Sequence, residues 1–179
     1  MGTFIKRLLV DILIAGVLAG GVLLFIQPTV VRQSSMENSF HNGDYLLVAR
    51  QAYRTITPER GDVVVFKSDT PVEKKLLSPY DRQILIKRVI GLPGDEISII
   101  DNAICVNGTK LNETYVKGLT GAVEYPKQDE TIKVPEGMYY LLGDNRENSL
   151  DSRTFGFIEK ERIIGKVFVR LFPDAKLVP

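Results

Sequence analysis

From Leu8 to Ile26 the chain is apolar apart from Asp11, and no other stretch limits its folding choices so strongly. As a helix rising about 1.5 Å per residue, the run reaches about 28 Å, close to the hydrocarbon thickness of a bilayer. A buried core helix is the plain alternative, but it would need a packing partner on every side. Gly16, Gly20 and Gly21 with Ala15 and Ala19 are more at home among lipid chains than in a water-soluble helix. A cleavable leader is a second alternative, although its apolar segment would be long for that role. The run therefore reads as a retained anchor over residues 8–26. Lys6 and Arg7 precede it and only Arg32 follows closely. The positive-inside bias then keeps residues 1–7 in the cytoplasm and sends residues 28–179, after a single pass, to the outer face. Asp11 is expected in the first turn or so, within reach of the interface and the positive end of the helix dipole.

The 179 residues leave room for one compact domain, or a core with a small subdomain, besides the anchor. Lys+Arg 23 against Asp+Glu 22 gives a net charge of +1, with no basic excess for nucleic acid. Cys105 is the single cysteine and His41 the single histidine. An intrachain disulfide is excluded, and neither a metal nor another cofactor is expected.

Beyond Pro28 the chain has the texture of strands and turns. Asp44–Ala49, Asp62–Lys67, Arg82–Gly91, Glu96–Ile100, Ala103–Val106, Thr109–Leu111, Thr131–Val134, Met138–Leu142 and Ile163–Arg170 are β-rich runs. Pro93-Gly94 suits a type II turn, while Asp101-Asn102 and Asn107-Gly108 suit two consecutive tight hairpins. Residues 68–82 and 143–157 read as loops, and 112–130 as a polar surface excursion. The body is expected to be mainly β and antiparallel.

Three places carry chemistry. Ser35 follows closely on the anchor, where it could act on something arriving through the membrane. Lys87 alternates with Leu85 and Val89 on one strand face, while Ile84, Ile86, Arg88 and Ile90 share the other. A solvated edge lysine that blunts aggregation fits this pattern. So does a desolvated lysine whose neutral amine takes a proton from a serine hydroxyl. The cluster Gly143-Asp-Asn-Arg-Glu-Asn-Ser-Leu-Asp-Ser-Arg153 is either a solvated loop or a charged brace, with Asp151 and Arg153 spaced to pair. His41, six residues from Ser35, could be a catalytic base, but His-Asn-Gly-Asp reads first as a turn.

Taken together, Ser35-Met36, Gly43-Asp44, Arg60-Gly-Asp-Val-Val64, Lys87-Arg-Val-Ile-Gly-Leu-Pro-Gly-Asp95 and the 143–153 block resemble the type I bacterial signal peptidases, in order and rough spacing. The likeness extends over nearly the whole chain and is to the short, single-anchor form typical of Gram-positive bacteria. It implies an antiparallel β-sheet catalytic core (residues 28–99 and 138–179) with an inserted β subdomain (100–137). It further implies Ser35 as nucleophile, Lys87 as general base and Ser149 as the hydroxyl orienting that amine. Asp144, Asp151 and Arg153 would brace the site, and Met36, Phe40, Leu85 and Ile86 would line pockets for small side chains. The implied activity is removal of signal peptides from exported preproteins after small-x-small sites through an acyl-enzyme. The implied partners are those preproteins and the bilayer, with proximity to the secretion translocon. Two positions depart from the family pattern. Asn38-Ser39-Phe40 stands where Pro-Thr-Leu is common, and Gln33 stands where a serine or glycine is common. Gln33 and the Ser35 backbone N–H are thus the oxyanion donors to consider. The alternative is a non-catalytic or specialised factor of this type in pilus or surface-protein assembly.

Overall fold

The computed structural model describes residues 2–71, 82–121, 124–127 and 130–178. Helix α1 (Gly2–Phe25) is exposed over Phe4–Phe25 apart from half-buried Gly21, and that stretch is long and apolar enough to cross a membrane. The helix begins earlier than the apolar run, so Asp11 lies about two turns into the span rather than at its first turn.

The helix passes directly into strand β1 (Ile26–Val30), which pairs antiparallel with β2 (Tyr45–Ala49). The expected anchor thus ends one residue early. Five apolar or uncharged residues that carried no clear strand signal become an edge strand, because β2 offers them a ladder. The remaining strands are β3 (Val63–Pro71), β4 (Arg82–Gly91), β5 (Glu96–Ile100), β6 (Ala103–Val106), β7 (Thr109–Lys110), β8 (Thr131–Lys133), β9 (Met138–Leu142), β10 (Ile158–Glu159), β11 (Ile163–Phe172) and β12 (Lys176–Leu177). Among the described residues the larger sheet runs β1-β2-β11-β3-β4-β9-β10, with β12 beside β11. The smaller runs β7-β6-β5-β8, and its pairs are likewise antiparallel.

Strand β3 continues to Pro71, so the expected loop starts later than 68, and 72–81 lie outside the described residues. Residues 143–157 are not all loop: a 3-10 turn at Arg146–Asn148 and helix α3 (Ser152–Phe155) interrupt them. A further short helix, α2 (Ala52–Thr55), follows β2. Asp101-Asn102 and Asn107-Gly108 all have positive φ, the backbone that two-residue hairpin turns require.

Strand β4 separates the apolar clusters. Leu85 and Val89 pack with Val64, Phe66, Tyr139 and Leu141. Ile84 and Ile86 pack against a cluster holding Met36, Phe40, Val63 and Val65, and Ile90 joins the core of the smaller sheet. This alternation holds Lys87 and Arg88 on opposite faces.

Candidate active site

Ser35 sits at the head of a tight turn in which Glu37 N–H donates to Ser34 O and Phe40 N–H to Met36 O. Met36 and Phe40 are buried and fix the turn to the core. The 143–149 loop grips it from above. Asn145 N–H donates to Ser35 O at 3.0 Å, Asn145 Nδ2 to Ser34 O at 3.1 Å and Asn148 Nδ2 to Ser34 Oγ at 2.8 Å. Gly143 permits this approach, since a Cβ there would collide with Ser149 Oγ and stand 2.5 Å from Ser35 O.

Lys87, paired opposite Val64 of β3, is 1% exposed. Its Nζ is hydrogen-bonded to Ser35 Oγ at 2.6 Å and donates to Ile86 O at 3.2 Å. No carboxylate of the described residues forms an ion pair with it. Burial pulls the amine down from the ordinary lysine value to about 8; Asp151 and Asp144 pull the other way, and Arg153 adds to the lowering. Of the two readings of Lys87, the solvated edge lysine does not describe this environment.

The next residue has the opposite surroundings. Arg88 Nε and Nη2 donate to Asp144 at 2.9 and 2.7 Å, and Nη1 donates to Gly61 O at 2.8 Å. The guanidinium also lies 4.0 Å from the centre of the Tyr115 ring. Ser39 Oγ donates to Asp144 at 2.5 Å. Asp144 therefore neutralises Arg88 and ties down the turn that carries Ser35.

Asp151 caps α3 and accepts from Gly143 N–H at 3.1 Å. It also takes a bidentate pair from Arg153, at 2.9 and 3.0 Å. Arg153 donates onward to Arg146 O at 2.7 Å, and Arg146 holds Gly143 O, Thr120 and Glu113. The residues expected to brace the site thus form two buried networks around the grip on Ser35. Arg88, Ser39, Asn145, Arg146, Asn148, Glu113, Tyr115 and Thr120 received no role from the sequence. The first five lay within or beside the motif blocks. Glu113, Tyr115 and Thr120 come from the stretch read as a surface excursion and carried no signal.

The Ser149 hydroxyl is buried without a hydrogen-bond partner among the described residues, so its expected bond to the Lys87 amine is not formed here. Gln33 is exposed, with no side-chain hydrogen bond among the described residues, at the mouth of two cavities that also include Ser35. One, of about 290 Å³, is lined by Val31, Met36, Ile84 and Ile86. The other, of about 330 Å³, includes Gln83, Leu85, Lys87 and Asn148. Leu85 and Ile86 thus serve different cavities, and Phe40 lines a third, beside Arg88 and Tyr115. His41 is exposed and its backbone N–H donates to the Asp44 carboxylate at 3.0 Å, as in a turn. Beyond β4's pairing with β3, its ladder to β9 begins only at Arg88, so residues 82–87 present an open edge among the described strands.

A family model described as signal peptidase, peptidase S26, matches residues 3–172. The chain is 38% identical over 160 residues to a probable signal peptidase I-2 from Synechocystis sp., covering 89% of this chain and 69% of the relative. It is 34% identical over 169 residues to signal peptidase I of Bacillus licheniformis, covering 90% and 86%. It is 38% identical over 142 residues to signal peptidase I V of Bacillus subtilis, covering 74% and 78%. A buried serine–lysine pair, two networks that hold it and a family match over residues 3–172 have one reading: this chain belongs to the type I signal peptidase family.

Proposed function

We propose that this chain is a membrane-anchored serine endopeptidase that removes signal peptides from exported preproteins, with Ser35 as nucleophile and Lys87 as general base. The observation that carries this reading is the 2.6 Å contact between Ser35 Oγ and a buried Lys87 without a carboxylate partner among the described residues. A neutral amine takes the Ser35 proton as Oγ attacks the scissile carbonyl carbon. The ammonium so formed gives that proton to the leaving amine as the C–N bond breaks, leaving an ester on Ser35. Water, deprotonated by the same amine, then hydrolyses the ester and frees the serine. No described residue accepts from the Ser35 backbone N–H, which leaves it available to the oxyanion, with the Gln33 amide as the second donor. Ser149, whose hydroxyl is buried against Gly143, would turn to orient the amine once substrate is bound.

Small-x-small selection has a geometric basis. A peptide laid along the open edge of residues 82–87 adds a strand to the sheet. Its alternate side chains then point to opposite sides. The two small residues would enter the apolar cavity over Ile84 and Ile86, and the intervening one the more polar cavity over Gln83 and Leu85. Helix α1 would hold this edge at the outer face of the membrane, N-terminus inside, near the translocon that delivers the substrate. The test is incubation of the full-length chain with a preprotein carrying an Ala-x-Ala site. Ser35→Ala and Lys87→Ala should each lower cleavage by at least about 10²–10⁴-fold; either variant cutting at the parent rate would sink the reading.

A further inference from the structure

A further cavity, beside the end of α1, shares no lining residue with the two cavities at Ser35. It has a volume of about 730 Å³ and is lined in part by Leu24, in the last turn of the span. The chain after β2 forms its near wall. Arg50 N–H donates to Phe25 O at 2.9 Å and Gln51 Nε2 to Leu24 O at 3.5 Å, so the wall is fastened to the end of the helix. Arg50, Arg54, Lys67 and Lys160 line it against one carboxylate, Glu161. The side chains of Arg50, Arg54 and Lys160 have no ion-pair or hydrogen-bond partner among the described residues. Leu24, Ile163 and Ile164 add apolar surface beside these cations.

We propose that this cavity binds the phosphodiester headgroup of an anionic phospholipid from the outer leaflet. The position and chemistry argue together. A helix that crosses the hydrocarbon layer ends at headgroup depth, so a cavity lined in part by its final turn faces phosphates rather than acyl chains or bulk water. Cations gathered there attract anionic lipid, arginine matches phosphate with paired donors, and Leu24, Ile163 and Ile164 offer apolar surface to the glycerol and first methylenes. A lipid held against both α1 and the wall would set how the body stands on the membrane. The inference rests on the anchored reading of α1 and is independent of the Ser35–Lys87 chemistry.

The test uses the full chain reconstituted in equal mixtures of phosphatidylglycerol and phosphatidylcholine with matched acyl chains, then released in mild detergent for native mass spectrometry. The parent should retain phosphatidylglycerol over phosphatidylcholine by about tenfold. The triple variant R50Q/R54Q/K160Q should fall to parity, while K110Q/K127Q/K133Q, an equal charge change on β7, β8 and the segment between them, should keep the preference. Both should still cleave a signal-peptide substrate in detergent. No preference in the parent, or an unchanged one in the first triple variant, overturns the proposal. So does displacement of the lipid by soluble glycerol 3-phosphate, which would mark a phosphate site with no need of a bilayer. Alkaline carbonate extraction separates the two readings. Protein released from membranes sinks the anchor itself, whereas retained protein without lipid preference sinks only the headgroup site.

Discussion

Lys87 and Arg88 are consecutive cations on one buried strand, and the regions on the two faces of β4 treat them in opposite ways. Arg88 meets a bidentate carboxylate, a backbone carbonyl and an aromatic face. Among the described residues Lys87 meets one hydroxyl and one carbonyl, with Leu85 and Val89 on its face of the strand. The first arrangement keeps a charge in the interior by compensating it. The second withholds compensation, so burial favours the uncharged amine. One region secures the turn that carries Ser35, and the other leaves the Lys87 amine against that serine's hydroxyl.

Substitutions can break this contrast. Lys87→Met should lower cleavage of a signal-peptide substrate by about 10²–10⁴-fold or more, yet melt at or above the parent temperature, because it removes a buried cation without stranding a partner. Arg88→Met should do the reverse in stability. It strands the Asp144 carboxylate and should cost about 3–5 kcal/mol in chemical denaturation. A double variant that also replaces Asp144 with Asn should recover part of that loss. Equal melting behaviour of the two methionine variants would mean that the faces of β4 do not differ as described.

The contrast also has a pH signature of intermediate size. Lys87 in the folded chain is lowered from 10.5 to about 8. Between those values the unfolded chain binds more protons than the folded one, so this lysine makes stability rise with pH across that window. Its destabilising effect is full below pH 8 and absent above the unfolded value. The whole amplitude is about 3 kcal/mol. Denaturation midpoints across that range should show the slope in the parent and lose it in Lys87→Met, while kcat/KM should climb and level off through pH 8. A rate profile that climbs only near the ordinary lysine value would contradict a desolvated base.

The smallest effect concerns the junction of the two regions. Asn38 has φ 105 and donates from Nδ2 to Tyr115 O at 2.9 Å, linking the turn of Ser35 to the residue whose ring lies against Arg88. Asparagine tolerates positive φ better than most residues, whereas proline is held near −65°. Restoring the common family residue with Asn38→Pro should therefore cost about 1–3 kcal/mol, and Asn38→Gly less than about 1 kcal/mol, in thermal unfolding. If proline proves neutral, the turn is not held in this hand.

Local pattern explains what was legible. The apolar span, the alternation of 82–91 and the two Asn-containing hairpins depend on residues close in the chain; the strand and hairpins appear where expected, and the span's helix starts earlier, at Gly2. Strand β1 was not legible, because Ile26–Val30 becomes a strand only by pairing with β2. The stretch holding Glu113, Tyr115 and Thr120 looked like solvated surface. Its contacts are to Arg146 and Arg88, far along the chain, and no periodicity records them. Ser149 was assigned to the Lys87 amine by family likeness, and the structure places its hydroxyl buried and unbonded beside Gly143.

By itself, the sequence determined that a membrane-length helix precedes a β body and that one of two adjacent cations must share a face with Leu85 and Val89. Those properties follow from run length and the two-residue repeat of a strand. Only the tertiary structure decided which cation would be compensated. Asp144 reaches Arg88 across 56 positions of sequence, and Asp151 is already taken by Arg153. A carboxylate saturated by one guanidinium has little left for a neighbouring ammonium. Lys87 is thus left with Ser35 through the folding of distant segments, whose distances no local pattern contains.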